Sequence, residues 1–275
     1  MAPWFETAGV VLISVLSIII GRFFSNLKKT YWTLGYFFPC ALLGLLIIAR
    51  LNDSLYFTKP FCWFIIGRSR FVILAFAVCM GLTAPLSRLP RKSEKILVCV
   101  LMFVFVSWFS VMPFLFPMFI KGKLLSNATR FDKDGICRQT TKYTCGPAAA
   151  VTALEMLGLS ANEGEIAVLS HSSPVIGTLP SLLCSALENR YGSEGLKCEY
   201  RKFDTIEQLK KTGLTLVVVK EGFLLDHCIV VLQVLDDSVA VADPVTGKEL
   251  IPIKKFEKMW RYSGIILERN IVQNI

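Results

Sequence analysis

The sequence predicts a multi-pass α-helical membrane region followed by an α+β domain. Three observations lead there. The 275 residues are 53% hydrophobic and only 19% charged, with a mean hydropathy of +0.55, too apolar for an ordinary soluble enzyme. Residues 1–130 carry 14 Lys and Arg against 3 acids, and residues 131–275 carry 16 against 18, so the net charge of +9 belongs to the first half. Beyond about residue 135 the long apolar runs give way to shorter helical and β-branched patterns. The cations of the first half flank apolar runs, as they do at membrane spans. No polar stretch interleaves them with aromatics, so nucleic acid is not an expected partner.

A crossing helix needs about 20 apolar residues. Residues 1–125 are read as a transmembrane region with about four helices, over 8–24, 31–49, 63–86 and 96–120. The third has an apolar centre, residues 71–86, of about 16 residues. It reaches full length only if residues 61–66 contribute across Arg68 and Arg70, so it is either a span or a re-entrant segment. The fourth runs 25 residues without a charge, and Pro113 and Pro117 predict a kink near its end. The first run follows Glu6 and precedes Arg22, Lys28 and Lys29, with no small-residue cleavage site, so it reads as an anchor and not as a signal peptide. The expected location is the cell (cytoplasmic) membrane, with the lipid bilayer as partner. Its sidedness stays open, because Arg50, Lys59, Arg68 and Arg70 balance Arg88, Arg91, Lys92 and Lys95 across the membrane. The spans hold no acids, histidines or paired charges, so they read as an anchor and not as a transport path.

A polar linker, residues 121–135, leads into the second domain, residues 126–275. Apolar periodicity after Cys145, closed by Gly158, predicts one helix, and residues 180–191 before Gly192 predict another. Strands are expected at 214–219, 228–235, 238–242 and 265–267, the middle pair joined as a hairpin at Asp236 and Asp237. Helices first and an antiparallel sheet afterwards make an α+β domain.

The chemistry begins at Gln139 and Thr144-Cys145-Gly146-Pro147. A thiol in the first turn of a helix meets the positive end of the helix dipole, which favours thiolate, and Gly146 lets other groups approach it. Six residues upstream, Gln139 can set an amide N–H where an oxyanion develops, with the Cys145 backbone N–H as second donor. A thiolate needs a base, and the chain has two histidines, His171 and His227. His171 sits in a polar Ser170-His171-Ser172-Ser173 stretch and reads as an exposed loop residue. His227 precedes the apolar strand Cys228-Ile229-Val230-Val231-Leu232, where a rigid backbone can present it to a cleft. Asp243-Pro244 closes the return strand at the same end of the hairpin and supplies an orienting acceptor. A two-residue turn at Asp236 and Asp237 would put His227 and Asp243 on opposite faces, whereas a three-residue loop or one bulge puts them together. An odd loop or a bulge is therefore expected. Asp226 and Asp237 read as solvated loop acids, and Cys228 as core on the other face of its strand.

Taken together, Gln139 with Thr144-Cys145-Gly146-Pro147-Ala148-Ala149, then Asp226-His227-Cys228-Ile229-Val230-Val231, Asp243-Pro244 with Gly247, and Phe256-Glu257-Lys258-Met259-Trp260 resemble the peptidase C39-like domains. These are papain-fold relatives, best known as the leader-cleaving domains of bacteriocin-exporting ABC transporters. The resemblance covers about residues 130–268, with the motifs in the family's order. It implies a papain-like fold and cysteine peptidase activity, with Cys145 as nucleophile, His227 as base, Asp243 as orienter and Gln139 as oxyanion donor. The physical reading assigns the same roles. Two positions depart from the transporter-linked members: Thr144 stands where they usually have Asp, and Pro147 where they usually have Ala. No Walker-type Gly-rich Lys-Ser/Thr loop occurs, so bacteriocin export is not carried over.

The function expected is a membrane-anchored cysteine peptidase acting on a peptide or protein near the bilayer, with leader peptides as one substrate class. A separate exporter is its candidate partner, and it needs no cofactor. Two alternatives stay open: an inactive C39-like peptide-binding module serving a membrane exporter, and a papain-fold acyltransferase. Cys137, Cys145, Cys184, Cys198 and Cys228 show no CxxC spacing, so a metal site is not expected. In an oxidising compartment four of these could pair and leave Cys145 free.

Overall fold

The computed structural model describes residues 3–52, 55, 57–62, 69–222 and 225–270. The chain divides into two compact units, Met1–Met118 and Phe119–Ile275.

In the first unit the apolar runs are helical: α1 (Pro3–Ser25), α2 (Leu34–Leu51), α3 (Ser69–Thr83), α4 (Lys92–Val106) and α5 (Met112–Ser126), the last continuing into the second unit. Three stretches, Thr7–Ser25, Ser69–Arg88 and Lys92–Val111, are long and apolar enough to cross a membrane by length and composition. The run expected over 31–49 is shorter as a continuous helix. A separate turn, Lys29–Trp32, precedes it, and α2 starts only after Thr33, leaving Leu34–Ala49 as its apolar stretch. The third run gains its length at the other end from the one considered in the sequence. Past Thr83 the chain tightens into a 3₁₀ turn at Leu86–Arg88, while residues 63–68, where the expected helix began, lie outside the described residues. In the fourth run the irregularity falls before the prolines, as a π-helical turn at Ser107–Val111. Pro113 has no N–H to donate to the preceding turn and its ring crowds that turn, which loosens the residues ahead of it. The helix then resumes and carries Pro117 inside it. Leu12, Phe37 and Phe103 are 72%, 73% and 72% exposed, an apolar surface that water solvates badly and lipid solvates well.

The second unit is α+β. A small two-stranded sheet pairs β1 (Arg130–Phe131) with β2 (Cys137–Arg138). The main sheet is antiparallel, built from β3 (Leu196–Lys202), β4 (Thr215–Gly222), β5 (Leu225–Val234), β6 (Ser238–Asp243), β7 (Gly247–Pro252) and β8 (Trp260–Arg269). Its spatial order is β3-β8-β4-β5-β6-β7. Alternation along each strand sends side chains to two separate cores. On one face Leu216, Val230 and Ile265 pack with α6 (Cys145–Met156), α7 (Glu163–Leu169) and α8 (Pro180–Tyr191), through Ala149, Leu154, Ile166 and Leu187. On the other face Val217, Ile229 and Val241 meet Leu209 of α9 (Ile206–Lys210), Phe256 of α10 (Ile253–Met259) and Trp260. Trp260 is fully buried. It lies against Phe203 at 5.4 Å, Phe256 at 5.5 Å and Tyr262 at 4.7 Å between ring centroids, and its indole N–H donates to the Ser263 carbonyl at 3.2 Å.

The β5–β6 hairpin settles the register. Leu235 donates to the Ser238 carbonyl at 2.8 Å across a tight turn at Asp236 and Asp237, and Val234 pairs with Val239 and Gln233 with Ala240. Beyond that point the partners are Val231 with Val241 and Val230 with Ala242, so Leu232 is an extra residue in β5. The turn has two residues and the bulge supplies the odd count.

Candidate active site

Cys145 opens α6. Thr144 precedes it as N-cap, and its carbonyl accepts the Ala148 N–H at 3.0 Å, the first bond of the helix. The Thr144 side chain does not cap the helix. It accepts the Thr141 N–H at 3.2 Å instead, closing the turn that leads into Cys145. Pro147 is tolerated because the first turn of a helix has N–H groups to spare. Gly146 packs closely, since a Cβ there would stand 3.3 Å from Thr178 and Leu183 and require them to give way. Residues 146–154 are buried, whereas Cys145 is half-buried, which leaves its sulfur within reach of a substrate at the positive end of the helix.

His227 sits near the start of β5, 7% exposed. The Leu232 bulge puts it on the same face as Asp243, which ends β6, and its Nε2 lies 2.9 Å from Asp243 Oδ1. That oxygen also accepts the Val245 N–H at 2.7 Å and the Thr246 N–H at 3.4 Å, so the loop after Asp243 fixes the carboxylate before the imidazole meets it. A carboxylate only accepts, so Nε2 carries the proton of this bond and Nδ1 is left for another partner. The Cys145 thiol is among the groups that act on the imidazole. Burial pulls the His227 pKa down, but the hydrogen bonds to Asp243 and Cys145 outweigh it and raise the value to about 10. For Asp243, burial pushes upward and is outweighed by the bonds from His227, Val245 and Thr246, so the carboxyl stays below its ordinary range.

Gln139 follows β2. Its backbone N–H donates to the Pro244 carbonyl at 3.1 Å, which ties it to the residue after Asp243. A clamp reinforces the junction: the Arg138 guanidinium donates to the Val245 carbonyl and lies 3.7 Å from Asp132. The Gln139 side-chain oxygen is buried and has no hydrogen-bond partner among the described residues.

The structure therefore joins His227 and Asp243 through their side chains, ties Gln139 to the residue after Asp243 through its backbone, and has Cys145 among the groups that act on His227. His171 is elsewhere, in a left-handed turn (φ 53°) after α7, half-buried and not exposed as its polar neighbours suggested. Asp226 also differs from the solvated acid expected. It accepts from Arg261 Nε at 3.0 Å and Nη2 at 2.9 Å, a two-pronged ion pair that local sequence cannot reveal because its halves lie on different strands. Asp237 is exposed at the hairpin turn, and Cys228 packs toward the helical core. All nine cysteines are free thiols. Glu163, 1% exposed, accepts the Thr140 N–H at 2.9 Å and was not singled out in the sequence. Asn162 caps the helix by accepting the Glu165 N–H at 3.0 Å, so Glu163 reads there as an ordinary first-turn acid.

The sequence model of the peptidase C39 family matches residues 133–271, half of the chain. Two curated relatives are uncharacterized proteins: one from Methanothermobacter marburgensis, 30% identical over 49% of this chain and 88% of its own length, and one from Methanothermobacter thermautotrophicus, 28% identical over 52% and 94%. Among solved structures, a double glycine motif protease from an AMS/PCAT transporter in complex with the leader peptide is 17% identical, covering 53% of this chain and 96% of its own, with a TM-score of 0.42. The peptidase domain of Streptococcus ComA, a bifunctional ABC transporter involved in quorum sensing, is 21% identical over 48% and 96%, with a TM-score of 0.44.

Proposed function

The chain belongs to the peptidase C39 family, and from that premise we propose that it is a membrane-anchored cysteine peptidase using Cys145, His227, Asp243 and Gln139. One observation carries the reading: the His227 imidazole is bonded through Nε2 to Asp243 at 2.9 Å, and Cys145 is among the groups that raise its pKa. An imidazole fixed this way on one side has a single nitrogen left, and that nitrogen serves the thiol as base and the leaving group as acid.

In the proposed cycle the Cys145 thiolate, paired with the protonated His227, attacks the substrate carbonyl. The developing oxyanion takes hydrogen bonds from the Cys145 backbone N–H and the Gln139 side-chain amide. Collapse breaks the C–N bond, and His227 gives its proton to the departing amine, leaving an acyl-enzyme on the sulfur. A water then loses a proton to His227 and attacks the thioester, releasing the carboxylic acid and regenerating the pair. Asp243 stays ionised throughout and holds the tautomer.

Anchoring by the apolar helices would confine the substrate to peptides or proteins presented at the bilayer, where tethering raises their effective concentration. The leader peptide bound by the transporter-derived protease is the model for such a substrate, delivered here by a separate exporter.

The test is the alkylation rate of Cys145 by iodoacetamide at about pH 6, in the full chain in detergent micelles and in its His227→Ala variant, with the adduct located by peptide mass. An unperturbed thiol titrates near 8.5 and reacts slowly at that pH. Fast labelling that falls at least about tenfold in the variant is expected. Equally slow labelling in both would remove the nucleophile from the reading and leave the peptide-binding module.

A further inference from the structure

The Gln139 amide oxygen is buried without a hydrogen-bond partner among the described residues, so no bond at that oxygen orients the amide and the backbone it springs from bears on where it stands. That backbone is gripped at two successive peptides. The Gln139 N–H donates to the Pro244 carbonyl at 3.1 Å. The next N–H, of Thr140, donates to Glu163 Oε1 at 2.9 Å, and the Thr140 hydroxyl donates to the same oxygen at 3.1 Å.

Glu163 is 1% exposed, and its Oε2 has no partner among the described residues. Burying a carboxyl with one oxygen unpaired is unfavourable, and the bonds to Thr140 are what its side chain gains there. Its own position is fixed in turn: the Glu163 N–H donates to Thr129 Oγ1 at 3.0 Å, and Asn127 Nδ2 donates to Thr140 Oγ1 at 3.2 Å. The Leu124 carbonyl rests on Gly164 so closely that any Cβ at that position would collide with it.

We propose that Glu163 is a positioning residue for the oxyanion donor, its carboxyl fixing the Thr140 peptide and through it the Gln139 side chain. The inference rests on the peptidase reading, so its test has one arm that needs no turnover. The full chain in detergent micelles, labelled with ¹⁵N-glutamine, reports the Gln139 side-chain amide, assigned with Gln139→Ala. Glu163→Ala should displace or broaden that signal, and Glu163→Gln, whose amide oxygen still accepts from Thr140, should restore it. Glu163→Asp, which draws the acceptor back by one methylene, should also displace it and serves if Glu163→Ala does not fold. An unmoved signal in the variants that fold overturns the proposal.

The second arm uses a double-glycine leader peptide as substrate. Glu163→Ala should lower kcat about tenfold with KM changed less than about twofold, a fraction of the loss from removing the donor itself. Added to Gln139→Ala, it should change kcat by less than about twofold, because its effect passes through the missing amide. Losses that multiply would mark Glu163 as merely structural and overturn the proposal. Absence of Cys145-dependent turnover in the wild type would remove the double-glycine leader as its substrate, slow Cys145 alkylation would sink the peptidase reading, and the amide signal would still decide the positioning.

Discussion

At the scale of single residues the site depends on one oxygen. Asp243 Oδ1 is held by Val245 and Thr246 N–H groups and then receives His227 Nε2, so the imidazole meets an acceptor that is already oriented. Asp243→Ala removes that acceptor while leaving Cys145 in place. Leader-peptide turnover is expected to fall about 10²-fold, the lower end of what positioned acid–base groups contribute. The His227 titration, followed by imidazole NMR, should move down from about 10, because the largest of the interactions raising it is lost. An unchanged His227 titration would mean that Asp243 does not set the charge state of the base. All four residues of the proposed site were legible, three of them because each stands at the edge of an element: Cys145 opens a helix, His227 lies near the start of a strand and Asp243 ends one. Glu163 was not legible, since its bond to Thr140 joins residues 23 positions apart in the chain and nothing local separates it from other first-turn acids.

At the scale of elements the decisive feature is the bulge in β5. Strand periodicity is two, so one extra residue moves everything beyond it to the other face. Without Leu232 the tight turn at Asp236 and Asp237 would leave His227 and Asp243 on opposite sides of the sheet. Deleting Leu232 is therefore expected to slow Cys145 alkylation at about pH 6 to the level of His227→Ala. Far-UV circular dichroism and cooperative melting should persist, since the hairpin regains regular pairing. Retained fast alkylation would show that the strand re-forms the bulge elsewhere. Sequence showed that an odd count was needed, but the choice between loop and bulge belongs to packing: Val231 and Val239 both fill the core around Trp260, and Val230 fills the helical one. The edge strands β3 and β7 escaped the sequence reading because an edge carries charges along its length, as in Leu196-Lys197-Cys198-Glu199 and Lys248-Glu249.

At the scale of the whole molecule, His227 couples folding to pH. Folded, it keeps its proton up to about 10, against an ordinary value of 6.5. It therefore stabilises the fold fully below pH 6.5, and that contribution is lost as pH rises toward 10. Asp243, held below its ordinary range, acts in the opposite sense and loses its contribution only in acid. The melting midpoint of the full chain in detergent should decline between about pH 6.5 and 10, and His227→Asn should flatten the decline. An identical slope in the variant would place the dependence on other groups. The charge asymmetry between the halves and the length of the apolar runs were determined by the sequence alone, because helix length and lipid solvation depend on consecutive residues. The order of motifs from Gln139 to Trp260 likewise identified the family, and strand alternation required an odd count. Only the tertiary structure decided that the odd count is a bulge at Leu232, that β8 lies between β3 and β4, and that Glu163 grips the peptide after Gln139. The last two are contacts between distant segments that no window of local sequence contains, and the bulge, though it lies within one hairpin, is chosen by how its two faces fill the two cores.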